Sequence, residues 1–278
     1  MRIAMIIPMK GKISLIVQLL LSIVYYCKYD RTKLDIYIAD TGSDENEKKI
    51  IRYFLRRLKK ENNLNCFFIE YDYYNFAKIN NDVVRNHLKE DTDLILLCNN
   101  DVKLINDAIS MSVDTWEQNK EDVGTVGVRL MYPDNTVQHA GIFMKYFQTI
   151  KKSVGFGHLL RKKPFVTHDN GVIETWGNTG AFLLISKKDF MEAGMLNEGY
   201  KMCFEDVELN LRMIIKGKRN LTNLDALCFH LDSATRKNEI DNDDVKRIRE
   251  FVMMNETLEA KTNDLKIREP ISRWLKMK

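Results

Sequence analysis

Apolar residues in this chain follow two alternating rhythms. Short, nearly unbroken apolar runs occupy residues 3–7, 34–39, 65–70, 93–98 and 123–128, each of strand length. Between them apolar positions recur every three or four residues, which predicts helices ending at 26 and covering 45–60, 79–88 and 105–118. Strands alternating with helices build βαβ units, so the first half predicts an α/β fold with a mainly parallel, Rossmann-like central sheet flanked by helices. Right-handed crossovers put the loops that follow the strands on one edge, and ligands of such sheets bind outside the carboxyl ends of the strands. Asp40 and Asp101 both fall on that edge. Residues 13–26 are strongly apolar, yet Ser14, Gln18 and Ser22 recur at helical spacing and predict a buried amphipathic helix with a polar edge.

From 131 to 175 the rhythm weakens. This stretch carries His139, His158 and His168, several glycines and a basic RKKP cluster, and is expected to be a mobile loop. Regular patterning resumes with a strand over 181–185, a short helix over 187–193, a helix over 205–216 closed by Gly217, and a last core strand ending at 229. Beyond 238 the chain is charged and helical, with too few apolar residues for a core of its own. The expected division is a main domain over 1–237 and a C-terminal helical extension over 238–278.

Composition narrows the class. A chain of 278 residues with 45% apolar content can bury one sizeable core. The opening IAMIIP run, broken by a proline, is too brief for a signal peptide or a spanning helix. Five scattered cysteines, odd in number and never in a CxxC pair, argue against a disulfide framework or a zinc-thiolate site, and the expected compartment is the cytosol. A formal net charge of +4 suits anionic substrates or a membrane surface but is too diffuse for nucleic-acid binding.

Four chemically loaded stretches punctuate this pattern: IADTGSD, LLCNNDV, FEDVELNLR and CFHLDSATR. Two readings stand at Asp101, which closes the second: a helix cap or solvated loop residue, or a hard oxygen ligand for Mg²⁺ or Mn²⁺ whose shell diphosphate oxygens and water complete. Asp40 either closes a turn or accepts a hydrogen bond from a base N–H. FEDVELNLR predicts a helix whose Leu209 and Met213 point inward and whose Glu208 and Arg212 pair one turn apart. Acidic residues in its first turn suit the helix dipole without any further role. His230 is either a hydrogen-bonded structural residue or a nitrogen donor beside Asp101, with Ser233, Thr235 and Arg236 placed to meet phosphate oxygens.

Taken in order, these segments resemble the inverting family 2 glycosyltransferases of the GT-A fold, over nearly everything from Ile3 to Arg236. IAMIIPMKGK looks like the family's first strand and nucleotide-facing loop, IADTGSD like its VVDNGSxD, and NFAKINNDVVRN like GFAxANNxG. LLCNNDV sits where the family has its DxD or NPD motif. The QHAG, TGA, FEDVELNLR and HLDSATR stretches are similar to the rhamnosyltransferase and O-antigen-type subgroup, with its QHAG, TGA, NDVDLCLR and HHxSxSR.

The resemblance implies a transferase that uses Mn²⁺ or Mg²⁺. It moves a sugar from a UDP- or dTDP-linked donor, with inversion, to a glycan or lipid-linked glycan acceptor in surface-polysaccharide synthesis. It implies Asp206 as general base with Glu205 as second candidate, Asp101 and His230 on the metal, and Asp40 on the base or ribose. Pro8, Met9, Lys78, Asn81, Asn99, Asn100, Gly180, Ala181 and Arg236 would line the nucleotide and donor site, and Trp176 would form a platform for a sugar ring.

The chain departs from the family where Asn99 replaces the first aspartate of the metal motif and where MKGK replaces a T-x-N-like loop. Two other classes remain in play. A sugar-1-phosphate nucleotidyltransferase should carry a Gly-rich phosphate loop, for which PMKGK is a poor match. A noncatalytic nucleotide-sugar-binding scaffold could keep the same motifs without turnover. The tail from Val245 on, with Trp274, reads as a helix packed on the domain or joining a homodimer, or as a basic amphipathic segment touching the inner face of a membrane.

Overall fold

A computed structural model describes residues 1–147, 153–165, 170–231 and 241–262. The elements follow in chain order. The first half runs β1 (Ile3–Met9), α1 (Ile13–Tyr26), a 3₁₀ turn at Arg31–Lys33, β2 (Leu34–Asp40), α2 (Glu45–Asn62), β3 (Asn65–Glu70), α3 (Phe76–Asn86), β4 (Leu94–Cys98), β5 (Val102–Leu104) and α4 (Ala108–Gln118). The second half runs β6 (Val123–Met131), β7 (Val137–His139), β8 (Ile142–Phe147), β9 (Ser153–His158), β10 (Val172–Thr175), β11 (Phe182–Ser186), α5 (Lys187–Glu192), α6 (Glu205–Ile215), β12 (Arg219–His230), α7 (Asn242–Met253) and α8 (Glu256–Thr262).

The main sheet has the order β10-β12-β6-β11-β4-β1-β2-β3, with β5 added to β12 and β7 to β6. Pairing along it is parallel among β4, β1, β2 and β3 and between β6 and β12, while β11 and β10 run against their neighbours. Six of the eight strands on the path therefore share one direction, the mainly parallel sheet that the sequence predicts. Strands β1, β2, β4 and β6 are buried at every position, because helices cover both faces and remove any polar alternation. One apolar cluster fills the face under α1, α2 and α4, and another the face under α3, α5 and α6.

Three differences from the sequence reading have clear physical causes. The stretch expected as a mobile loop contains β7, the β8–β9 hairpin and β10. Its strands are three to six residues long, so no single run gives a readable alternation, and only pairing buries Val137, Ile142, Met144 and Val154. The helix expected over 105–118 starts at Ala108. Val102 and Leu104 are buried around exposed Lys103, a two-residue alternation that makes β5. Ser22, expected on the polar edge of α1, is buried, and its hydroxyl donates to Leu19 O and accepts from Leu104 N, so it ties α1 to β5; Ser14 and Gln18 do face solvent.

In the region expected as an appendage, α7 and α8 set Ile248, Val252 and Leu258 into one cluster with Trp176, Tyr200, Val207, Leu211 and Ile214. Trp274 lies outside the described residues. Among the described residues no helix is long and apolar enough to cross a membrane.

Candidate active site

The strands that share one direction end on one edge, and the chemistry collects there. Met9, Asp40, the Asn99–Asp101 turn after β4 and His230 all sit at carboxyl ends; β11 runs the other way, so its preceding Gly180 and Ala181 join the same edge. The chain goes from β1 outward to β2 and β3, then returns to β4 on the other side of β1. Met9 and Asp101 therefore flank the reversal of strand order, where open α/β sheets form their crevice.

β5, which the sequence reading missed, places Asp101 opposite His230. Antiparallel pairing sets His230 against Val102, and Leu231 N donates to Asp101 O at 3.1 Å. His230 Nε2 then lies 3.2 Å from Asp101 Oδ1 and 3.2 Å from Asn99 Nδ2, while His230 Nδ1 is 2.7 Å from Gln138 Oε1. Asp101 and His230 are 8% and 12% exposed at their side chains. Two ligand atoms on an edge of an octahedral ion, each about 2.1 Å from it, stand about 3.0 Å apart, so the observed separation fits an adjacent pair on Mg²⁺ or Mn²⁺. Among the described residues no group of three or more His, Cys, Asp or Glu side chains could hold a metal. A metal here would take only these two protein ligands and need oxygens from elsewhere. Asn99 N donates to Ala181 O at 3.1 Å, which carries the turn across to the start of β11.

Asp206 stands next to that crossing. Its Oδ2 accepts from Gly180 N at 2.8 Å and its Oδ1 from Val207 N at 2.7 Å. It is half-buried, whereas Glu205 is 7% exposed. A Cβ on Gly180 would lie 3.2 Å from the Phe76 ring and 3.6 Å from Asp206 Cβ, so the backbone passes Asp206 closely. Phe204, just before α6, holds φ at 79°, a left-handed conformation unusual for a bulky residue, and turns the chain sharply into the acidic first turn. Glu208 and Arg212 pair as expected, and Leu209 and Met213 are buried. Glu208 also accepts from Tyr200 Oη at 2.7 Å and Asn197 Nδ2 at 3.0 Å, so it serves the scaffold.

Behind Asp206 lies a buried amide network absent from the sequence reading. Asn210 Oδ1 accepts from Asn178 N at 3.0 Å and Thr125 Oγ1 at 2.7 Å, and its Nδ2 donates to Asn178 O at 2.8 Å and Asp206 O at 2.7 Å. Asn178 Nδ2 reaches Leu221 O and Thr125 Oγ1, each at 3.0 Å, and Thr222 Oγ1 donates to Asn178 Oδ1 at 2.7 Å. Gly177 makes room: a Cβ there would lie 2.5 Å from Asn210. The one signal in the sequence is an amide set between Leu209 and Leu211 on a helix, where all three prove buried.

The remaining expected residues are placed as follows. Asp40 is 1% exposed, and its two carboxylate oxygens receive Ser43 N at 3.3 Å and Ser43 Oγ at 2.7 Å, which closes the turn after β2. Pro8 is buried and Met9 is a core residue at 1% exposure; only the backbone of Met9 reaches the edge, where its carbonyl accepts from Thr41 N and Oγ1. Asn81 spends its amide on Leu196 O, Leu196 N and Glu198 Oε1, so it pins a loop and has no free face for a nucleotide. Lys78 is exposed, its ammonium 4.0 Å from the centre of the Tyr73 ring. Asn100 is half-buried in the turn before Asp101. Trp176 is 3% exposed inside the cluster under α7, because its neighbours close over it, and offers no open face to a sugar. His139 is buried against His158, with Nδ1 atoms 2.6 Å apart, and burial first, then the two neighbouring imidazoles, holds its pKa well below the usual histidine value. Arg236, Ser233, Thr235 and His168 lie outside the described residues.

No family model matches the chain. It is 26% identical over 249 residues to the O-antigen biosynthesis protein RfbC of Myxococcus xanthus, covering 85% of this chain and 18% of that protein. It is 29% identical over 171 residues to the uncharacterized protein y4gI of Sinorhizobium fredii, covering 60% of this chain and 18% of that one. The chain thus spans under a fifth of the length of these curated relatives. Among solved structures it is similar to a Pyrobaculum calidifontis mannosyltransferase in complex with GDP-Man and Mn²⁺, at TM-score 0.57 and 14% identity, covering 85% of this chain and 58% of the other. It is also similar to GalNAc-T7 with UDP, GalNAc and Mn²⁺, at TM-score 0.67 and 10% identity, covering 91% and 48%, and to S. aureus TarS, at 0.57 and 12%, covering 84% and 37%.

Proposed function

Starting from the GT-A fold that this chain shares with those structures and from its likeness to an O-antigen biosynthesis protein, we propose that it is a glycosyltransferase of cell-surface polysaccharide synthesis. Its donor would be a UDP- or dTDP-linked sugar and its acceptor a glycan or lipid-linked glycan. The observation that carries this reading is the Asp101–His230 pair at 3.2 Å, on the sheet edge where the Gly180–Ala181 backbone joins it to Asp206.

Asp101 and His230 would hold a divalent Mn²⁺ or Mg²⁺, which, when bound, neutralises the charge that develops on the departing nucleoside diphosphate. Asp206 does the protein's own chemistry. Gly180 N–H and Val207 N–H fix its carboxylate and use one lone pair on each oxygen, leaving the others for an acceptor hydroxyl. Asp206 would take that hydroxyl's proton as the oxygen attacks the anomeric carbon opposite the leaving diphosphate, a single displacement that inverts the centre. Glu205, buried beside it, is the poorer candidate for contact with an acceptor. The Gly180–Ala181 backbone, with no side chain larger than a methyl, lets the donor sugar come close to Asp206.

The test is release of nucleoside diphosphate from a panel of UDP-, dTDP- and GDP-sugars with Mn²⁺, in wild type and Asp206→Asn. The reading predicts one productive donor class and loss of turnover in the variant. Full turnover in Asp206→Asn would remove it as the base. Binding of a nucleotide sugar without turnover of any donor would favour the noncatalytic scaffold.

A further inference from the structure

The bond between Gln138 and His230 has a consequence for the state of the imidazole. Gln138 is 6% exposed on β7, and its side-chain amide contacts His230 twice: Oε1 lies 2.7 Å from the ring Nδ1, and Nε2 lies 3.4 Å from the His230 backbone carbonyl. A carbonyl only accepts, so the amide must turn its NH₂ toward it. The amide oxygen is then left facing Nδ1, and an amide oxygen only accepts, so Nδ1 must carry the proton. A neutral His230 held this way presents an unprotonated Nε2, which accepts from Asn99 Nδ2 at 3.2 Å. That nitrogen also sits 3.2 Å from the Asp101 carboxylate, which only accepts. Two acceptors therefore lie side by side, and a positive species between them would relieve their repulsion and take over the Nε2 lone pair from the Asn99 amide.

The backbone shows why Gln138 points this way. Along the β6–β7 pairing, Leu130 faces His139 and Met131 faces Val137, so β7 advances two residues where β6 advances one. Gln138 is the extra residue of that bulge. Bulges re-aim a side chain and are enriched next to active sites.

We infer that Gln138 is a positioning residue, which sets the tautomer and ring orientation of His230 so that Nε2 is offered to a divalent cation together with Asp101. The inference rests on the proposed metal-dependent reading for its use, and on hydrogen bonding alone for the tautomer. Ligating histidines depend on such outer partners, whose loss weakens metal binding roughly 10–100-fold.

Long-range proton–nitrogen NMR of the imidazoles in the full chain, with EDTA and at a pH where histidine is neutral, reads the tautomer directly, with His230→Asn assigning the signal. Wild type should show His230 protonated at Nδ1, against the preference of free histidine in water. Gln138→Met should abolish this, while Gln138→Glu, which keeps an acceptor for Nδ1–H, should preserve it. Free-Mn²⁺ titration by electron paramagnetic resonance should show roughly 10–100-fold weaker binding in Gln138→Met and near-wild-type affinity in Gln138→Glu. Gln138→Glu puts an oxygen against the His230 carbonyl and should be less stable, so a merely structural role would harm it as much as Gln138→Met. An Nε2–H tautomer in wild type, or equal Mn²⁺ loss in both variants, overturns the inference. An Nδ1–H tautomer without any Mn²⁺ binding supports the role of Gln138 and removes the metal reading alone.

Discussion

Replacing Asn210 with leucine would test whether the buried amide network holds the candidate base in place. The two side chains have the same number of heavy atoms and the same branching at Cγ, so the change removes polarity and leaves no cavity. Asn210 is fully buried and makes four hydrogen bonds, to Asn178 N, Asn178 O, Thr125 Oγ1 and Asp206 O. Thr125 can turn its hydroxyl to Asn220 Oδ1, 3.1 Å away, so its loss is small. The two Asn178 backbone groups have no such substitute. Each buried group left unpaired costs about 1–3 kcal/mol, so Asn210→Leu should lose about 2–6 kcal/mol. At roughly 2–4 °C per kcal/mol for a domain of this size, Tm should fall by at least about 4 °C. Asn178 lies two residues before Gly180, whose N–H orients Asp206, so catalysis in the folded variant should fall more than nucleotide binding. Urea unfolding with kcat and KM measured on the same preparation reads both effects. A variant within about 0.5 kcal/mol of wild type, or one destabilised with unchanged kcat, would refute the reasoning.

Asp206→Asn should lower kcat by about 10²–10⁴-fold, the usual worth of a positioned base, with nucleotide affinity measured by calorimetry staying within about twofold. Tyr200→Phe removes a hydrogen bond to the carboxylate of Glu208, which is 2% exposed, and should cost about 1.5–3 kcal/mol in urea unfolding while leaving Mn²⁺ binding unchanged. His139 is held neutral in the folded chain, chiefly by burial, and ionises in the unfolded chain below about pH 6.5. The unfolded state therefore binds the extra proton, so this contribution to stability is present above pH 6.5 and is lost as pH falls, by up to about 1.4 kcal/mol per unit. Stability measured in EDTA at pH 7.5 and 5.5 should show this loss in wild type and a shallower one in His139→Leu; equal slopes would contradict it.

The parallel half of the fold was readable because its strands are buried on both faces, and burial writes itself as unbroken apolar runs such as IAMII and LILLC. The edge of the sheet followed, and with it the positions of Asp101 and His230. What the sequence hid depends on pairing between distant segments. β5 is three residues long, too short a run to read as a strand between the expected strand at 93–98 and the helix at 105–118, although its pairing sets His230 against Val102. Gln138 looked like part of a loop, because a bulge, not a periodicity, aims it. Asn178 and Asn210 sit 32 residues apart, and no local rule links two amides at that distance. Trp176 was expected as a sugar platform from the resemblance alone, and its burial comes from α7, whose packing over it joins segments about 70 residues apart. Asn81 likewise spends its amide inside the protein, which motif spelling does not reveal.

The central claim is a nucleotide sugar held through a metal on Asp101 and His230. A thermal-shift comparison of UDP, dTDP, GDP and CDP, each with Mn²⁺ or with EDTA, on wild type and Asp101→Ala tests it most directly. A ligand at a hundred times its Kd stabilises the folded state by about 2.7 kcal/mol, a rise of roughly 5–10 °C for this chain. The account predicts such a rise for one nucleotide with Mn²⁺ in wild type, and its disappearance both in EDTA and in Asp101→Ala. No rise for any nucleotide in folded protein, or a rise that survives EDTA and the Asp101 substitution, would contradict it.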